Sequence, residues 1–349
     1  MDSGKSGYST FEYDDYYRQS KAHSVVLFNG RAENPEDTYF GSKFPGTVSH
    51  LLDSGDLRYV LADATGPTCD TFIRNFRHFV WIGDMILVID DLKTFEPGQF
   101  EWQLHYQGEG RLNGKDFTIT QDEVNVLVRP LFPMPFPDAG LPSDYPENMV
   151  LELRPGLKDK DQNTELPYAV FKPTELMRRT KFFTAIIPIQ EGDWQAPKIQ
   201  RLQTLDMQGL RITQHGKVTE LWLNLRADGR IKHRNSNLVY KHWETDAYMI
   251  VQTWDESADR GNPDSAEKLM VINGSYLRRG EKTLLDSLSK VYLCATRNAD
   301  TLDIQLQGQP VIDALFRSPN KPNSVILNAV PITIDHSTEK ESVWLSVRP

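Results

Sequence analysis

His23 stands in the run Lys21-Ala22-His23-Ser24-Val25-Val26-Leu27-Phe28, where strand alternation puts its imidazole on the face of Val25 and Leu27. A histidine so placed either completes a core hydrogen bond or acts as a ligand or proton-transfer group, because its charge changes near neutral pH. A second histidine, His105, lies in FEWQLHYQ, which groups Glu101, Gln103, His105 and Gln107 on one face and Trp102, Leu104 and Tyr106 on the other. The polar face lines a groove or is solvated. Arg74, Arg77 and His78 form a compact cationic group in TFIRNFRHFVWI. Guanidinium groups hold a carboxylate or a sulfate bidentately, and an ordinary salt bridge is the alternative. Tyr16, Tyr17 and Arg18 precede the His23 run and offer flat rings and donors, although core packing would account for one of the two tyrosines.

The elements that must position these residues are strands. Short runs rich in Val, Ile, Phe, Tyr, Trp and Thr recur along the whole chain, separated by Gly, Asn, Asp and Pro. Tight-turn dipeptides punctuate them at Asn29-Gly30, Asn113-Gly114, Asp228-Gly229 and Asn273-Gly274, each suited to a hairpin turn with positive φ. Gly83-Asp84 joins RNFRHFVWI to MILVIDDL, two nearly continuous apolar runs expected to form a central ladder covered on both faces. Helical candidates are few and short: 173–179, 282–290 and 310–318. The proline-rich stretch 131–148 reads as a long surface loop. A change of character near Gln190-Glu191-Gly192-Asp193-Trp194 divides the chain. The expected fold is therefore all-β: a large two-sheet antiparallel β-sandwich at 1–190, then a smaller β-rich domain at 191–349.

Composition narrows the function classes. With 39% hydrophobic and 25% charged residues, a 349-residue chain has the apolar surface to fold compactly. The longest apolar stretch, Met85–Ile89, is closed by Asp90 and Asp91, so no membrane span is expected. A formal charge of −9 supplies no overall basic face for nucleic acid, though a local cationic cleft for an anionic ligand is compatible with it. Cys69 and Cys294 show no metal-ribbon spacing, and no phosphate loop or GxSxG elbow is present. The sequon Asn273-Gly274-Ser275 is already explained by a turn. The opening MDSGKSGYSTFEYDDYY has no apolar run after a basic region, so any export signal is expected further upstream.

Taken together, four segments resemble the heparinase II/III family of polysaccharide lyases. Asp2-Ser3-Gly4 is similar to its Asp-x-Gly turn, and the aromatic and basic stretch through Arg18 leads to AHSVVLFNG, similar to its Ala-His-Asn-Thr-Val strand. Ser24 stands where Asn is usual and Val25 where Thr is usual, which puts in doubt any role that needs the Asn amide. Arg77 to Asp90 resembles its Arg-containing hairpin, FEWQLHYQ its aromatic-Leu-His strand, and FFTAIIPI at 182–189 a strand near the end of its sandwich. The resemblance spans residues 1–190.

It implies β-elimination of a uronic-acid-containing polysaccharide: a base takes the C5 proton, the carboxylate's developing charge is stabilised, and an acid assists the leaving 4-oxygen. In the family, the tyrosine and histidine that do this come largely from a helical toroid and from a Gly-Gly-His-x-His segment ahead of the sandwich. Neither is found in this sequence, so the chain is expected to be inactive alone, with the toroid as its missing partner. The resemblance also implies a periplasmic or extracellular location and a zinc ion held in part by Asp2 and His23. Two ligands alone bind zinc weakly, and Asp2 could equally be a frayed terminus. Tyr16, Tyr17, Arg18, Arg74, Arg77, His78 and His105 are the candidate contacts to an acidic polysaccharide. Two other classes stay open: a non-catalytic carbohydrate-binding or scaffold protein, and a metal hydrolase in which His23, Asp2 and His50 or His78 converge.

Overall fold

The structure is a computed structural model that describes residues 10–348 apart from 35, 38, 115, 134–148, 160–163, 190–193, 205, 226, 228–237, 241, 242 and 299. The fold is all-β, as the strand periodicity predicts. The chain divides into two compact units, Met1–Leu51 with Tyr59–Trp194, and Leu52–Arg58 with Gln195–Pro349.

The strands of the first sheets are β1 (Val26–Phe28), β2 (Thr47–Ser54), β3 (Leu57–Asp63), β4 (Phe72–Ile82), β5 (Met85–Gly98), β6 (Phe100–His105), β7 (Glu109–Asn113), β8 (Asp116–Gln121) and β9 (Val124–Pro133). They continue as β10 (Met149–Arg154), the two-residue β11 (Lys158–Asp159) and β12 (Thr164–Glu165), β13 (Tyr168–Pro173) and β14 (Met177–Ile189). A four-stranded sheet runs β1-β6-β13-β10 and an eight-stranded sheet β2-β3-β4-β5-β14-β9-β8-β7. Gly83-Asp84 makes the two-residue β4–β5 turn, with Ile82 paired to Met85 and Gly83 at φ +58°. β5 then lies between β4 and β14 and is buried along most of its length, which is why its sequence is nearly continuous in apolar residues. A core of Phe28, Phe72, Phe100, Trp102, Phe171 and Phe182 unites strands of the two sheets, and the Trp102 and Phe171 rings stack at 4.8 Å. Ahead of β1, a π-helical turn at Tyr13–Tyr17 and a 3-10 turn at Ser20–Ala22 carry the chain to His23.

The second unit's strands are β15 (Lys198–Gln203), β16 (Met207–Gln214), β17 (Lys217–Asn224), β18 (Leu238–Tyr240), β19 (Trp243–Thr245), β20 (Met249–Asp255), β21 (Lys268–Arg279) and β22 (Lys282–Asn298). After them come β23 (Thr301–Gly308), β24 (Ile312–Arg317), β25 (Ser324–Leu327), β26 (Val330–Ile332), β27 (His336–Ser337) and β28 (Ser342–Val347). All fourteen belong to one sheet, whose core includes Leu269, Val271, Leu293, Ile304, Phe316 and Leu345.

Three expected helices are strands. Residues 282–290 open β22, where cross-strand pairing of Leu285 with Phe316 and Ser287 with Ala314 outweighs the leucine-rich helical propensity. Residues 310–318 contain β24, and its buried Ile312, Ala314 and Phe316 follow the two-residue period of a strand. Residues 173–179 end β13 and begin β14. Asn273-Gly274 is likewise no hairpin turn. It is a bulge inside β21, with Asn273 at φ +50° and register shifts on either side of Gly274. The buried Asp246 carboxylate holds the bulge by accepting from Ser275 N and Ser275 Oγ, both at 2.7 Å. The sequon there is buried, with Asn273 4% exposed and Ser275 fully enclosed. The Asp228-Gly229 turn and most of the 131–148 loop lie outside the described residues.

Candidate functional site

The segment Ser20–Val25 is a strap laid along the edge and outer face of β6. Alternation holds as read: Trp102 turns inward, where its indole Nε1 donates to Asp90 Oδ2 at 2.9 Å, while Gln103 and His105 point the other way. That outer face is not solvated, because Gln103 and His105 are each 1% exposed. Gln103 Nε2 donates to Ser20 O at 2.9 Å and to His23 O at 2.8 Å, and its backbone N–H donates to Val25 O at 3.0 Å. The His105 backbone N–H donates to Ser24 Oγ at 3.0 Å. Its ring stacks on Tyr168 at 4.8 Å, and its Nε2 lies 3.2 Å from Lys21 O, an arrangement that needs the proton on Nε2. Ser24 thus supplies a hydroxyl acceptor to the strand. From the neighbouring sheet, Arg77 Nη1 donates to Ser24 O at 2.5 Å. Arg77 is itself fixed by Asp90, through Nε to Oδ1 at 2.6 Å and Nη2 to Oδ2 at 3.3 Å.

His23 is thereby set at the C-terminal end of the 3-10 turn, with its backbone bound and its imidazole half-buried. It precedes β1 rather than lying within it. Asp2, its proposed companion in binding zinc, lies outside the described residues. Among the described residues, no group of three or more His, Cys, Asp or Glu side chains could hold a metal ion.

Tyr16 and Tyr17 are both buried, at 9% and 5% exposure, with their rings edge to face at 5.3 Å beside Ala22. Packing therefore accounts for both. Lys21 Nζ sits 6.0 Å from the Tyr16 ring centroid, and Arg18 pairs with Asp14 at 2.7 Å.

Arg74, Arg77 and His78 are not one cationic group. Arg77 is on the opposite face of β4 from Arg74 and His78, because their spacing is odd. Arg74 Nε is 3.0 Å from Asp91 Oδ2, and Lys181 Nζ is 2.6 Å from Asp91 Oδ1, forming a largely buried three-residue cluster. Burial pushes the Lys181 ammonium down to about 8 against the pull of Asp91. His78, 1% exposed, meets Tyr59 Oη through Nδ1 at 2.8 Å. Burial foremost, opposed by Asp91 and reinforced by Lys181 and Arg74, pushes its pKa down to about 3, so it is neutral at physiological pH.

Two residues with central roles, Asp90 and Asp91, are not among the candidate site residues that the sequence suggests. Their signal is in the sequence: adjacent carboxylates in an apolar strand face opposite sides, and each needs a cation. Across the hairpin Arg77 stands directly opposite Asp90, while Arg74, opposite Lys93, reaches Asp91 diagonally.

No family model and no curated protein matches the chain. Among solved structures it is similar to a heparinase III, the BT4657 gene product, at TM-score 0.48 and 15% identity over 64% of this chain and 34% of that one. A heparan sulfate lyase, HepC from Pedobacter heparinus, is matched at TM-score 0.45 and 15% identity over 64% and 34%. Another heparinase III is matched at TM-score 0.47 and 11% identity over 64% and 33%. The chain spans about a third of the length of these structures.

Proposed function

We propose that this chain is the β-sandwich portion of a polysaccharide lyase, holding a uronic-acid-containing polysaccharide against the His23 strap while the base and acid of β-elimination come from a further, helical part. The observation that carries this reading is the anchoring of Ser20–Ser24 by Gln103, His105 and Arg77, since these are the residues of the lyase-like segments and they act together on one element. Their backbone contacts give them a positioning role, with His23 as the side chain positioned. A periplasmic or extracellular location accords with such a substrate. Among the described residues no helix is long and apolar enough to cross a membrane.

Tyr16, Tyr17 and His78 are buried, so the sugar-holding role rests on His23 and the strap rather than on these three candidate contacts. The test is to incubate the purified chain with heparan sulfate, hyaluronan, alginate and ulvan, and to follow both retention on the immobilised polymer at low salt and the absorbance of the unsaturated uronate that elimination creates. Retention without new absorbance is expected. New absorbance would refute the assignment of base and acid to another part, and no retention on any polymer would refute the sugar-holding role.

A further inference from the structure

The face of the second unit's sheet at its β15 edge carries two cross-strand rows. Lys198, Thr213, Val218 and Trp254 face one another across β15, β16, β17 and β20, and Gln200, Arg211, Glu220 and Gln252 form the next row on the same face. Beyond β20, the Glu256 N–H donates to Gly216 O at 2.8 Å, which draws the following loop and Arg260 over the first row. The result is a half-open concavity of about 220 Å³ lined by Lys198, Gln200, Arg211, Thr213, Glu256 and Arg260 around Val218. At about 30 Å³ per water it holds roughly seven waters, enough for one sugar-sized ring with an anionic substituent.

Its polarity is lopsided. Three cations and the Thr213 hydroxyl meet one lining carboxylate, in a chain whose formal charge is −9. Arg211 is held in place by Glu220, with Nε at 2.9 Å and Nη2 at 2.8 Å from Oε1. Lys198 and Arg260, by contrast, have no ion-pair partner among the described residues. Further in along these rows on β20, outside the lining itself, Gln252 Nε2 and Trp254 Nε1 are buried donors with no hydrogen bond among the described residues, at 1% and 0% exposure. Gln252 Oε1 is engaged by Arg279 Nη1 at 3.3 Å, and the Arg279 guanidinium lies over the Trp243 and Trp254 rings at 5.0 and 5.7 Å. Lys198 and Arg260, unpaired among the described residues and facing a concavity, fit a ligand that accepts.

We propose that this concavity is an oxyanion-binding site, taking the sulfate or carboxylate group of an acidic saccharide between Lys198 and Arg260. Every residue involved belongs to the second unit, so the site holds or falls separately from the elimination chemistry proposed above. Guanidinium and ammonium groups bind such oxyanions through charge-assisted hydrogen bonds, and Glu256 opposes them.

The experiment is calorimetric titration of the whole chain with inorganic sulfate, with a sulfated uronate disaccharide and with a neutral disaccharide. Wild type, Arg260→Ala, Lys198→Ala and Glu256→Gln are compared. All three side chains are at least partly exposed, so the variants should fold. Saturable binding of the sulfated disaccharide is expected, weakened about tenfold or more by either alanine variant, since each removes a charge-assisted hydrogen bond to the anion. Glu256→Gln is expected to tighten it. Tighter binding of the disaccharide than of sulfate identifies the saccharide as the ligand; equal affinity identifies a free anion at the same site. Absence of saturable anion binding, equal binding of the neutral disaccharide, or affinity unchanged in both alanine variants would overturn the proposal.

Discussion

Replacing Gln103 by Met keeps the side chain's length and removes its two donations to the strap, at 2.9 Å to Ser20 O and 2.8 Å to His23 O. A buried hydrogen bond contributes about 1 kcal/mol net, so losing both should cost about 2 kcal/mol. The position is 1% exposed, so water cannot replace the lost donors while the strap stays docked. The cheapest response is local: the strap lifts and its carbonyls hydrate. At about 1.4 kcal/mol per tenfold, the population of the lifted state should rise about thirtyfold. Amide hydrogen exchange measures this directly. The His23 N–H, bonded to Ser20 O at 3.1 Å, and the Ala22 N–H, bonded to Gln19 O at 3.0 Å, should exchange about thirtyfold faster. Amides of β14, in the middle of the eight-stranded sheet, should change less, because they exchange through larger openings. Unchanged exchange at both strap amides would refute the anchoring role of Gln103, and with it the physical basis for fixing His23.

Two further outcomes follow from the buried charges of the eight-stranded sheet. Asp91→Asn leaves Arg74 and Lys181 enclosed without their shared carboxylate and should destabilise the protein by about 3–5 kcal/mol in denaturant titration; a loss under about 1 kcal/mol would mean that the cations find other partners. His78 has a folded-state pKa of about 3 against an ordinary 6.5, so between these values the unfolded chain takes up a proton that the folded one refuses. Its contribution is therefore fully present above pH 6.5 and is lost as pH falls towards 3, by about 1.4 kcal/mol per pH unit. Urea midpoints across this window should fall less steeply in His78→Gln, and an unaltered slope would show that His78 does not carry the titration.

The sequence by itself determined the class of fold and much of its punctuation. Alternating apolar residues and the Gly83-Asp84 turn are local signals, and local geometry obeys them: a two-residue loop with a glycine at positive φ must return the chain antiparallel. The inward Trp102 and outward Gln103 and His105 were legible for the same reason, since side chains alternate along any strand. What covers the outward face was not legible. It depends on a strap some eighty residues earlier in the chain, so a face read as polar became a buried anchor. Arg74, Arg77 and His78 adjoin in sequence, which suggests one cationic group, but the pleat sends Arg77 to one side, where it meets Asp90, and Arg74 and His78 to the other, where Arg74 meets Asp91. Tertiary pairing also overruled local propensity at 282–290 and 310–318, and at Asn273-Gly274 it made a bulge from a turn dipeptide, because Asp246 lay ready to bind the backbone there. Local sequence chose the strands; only the pairing of distant segments decided which polar groups were buried, and so which stay available for a ligand.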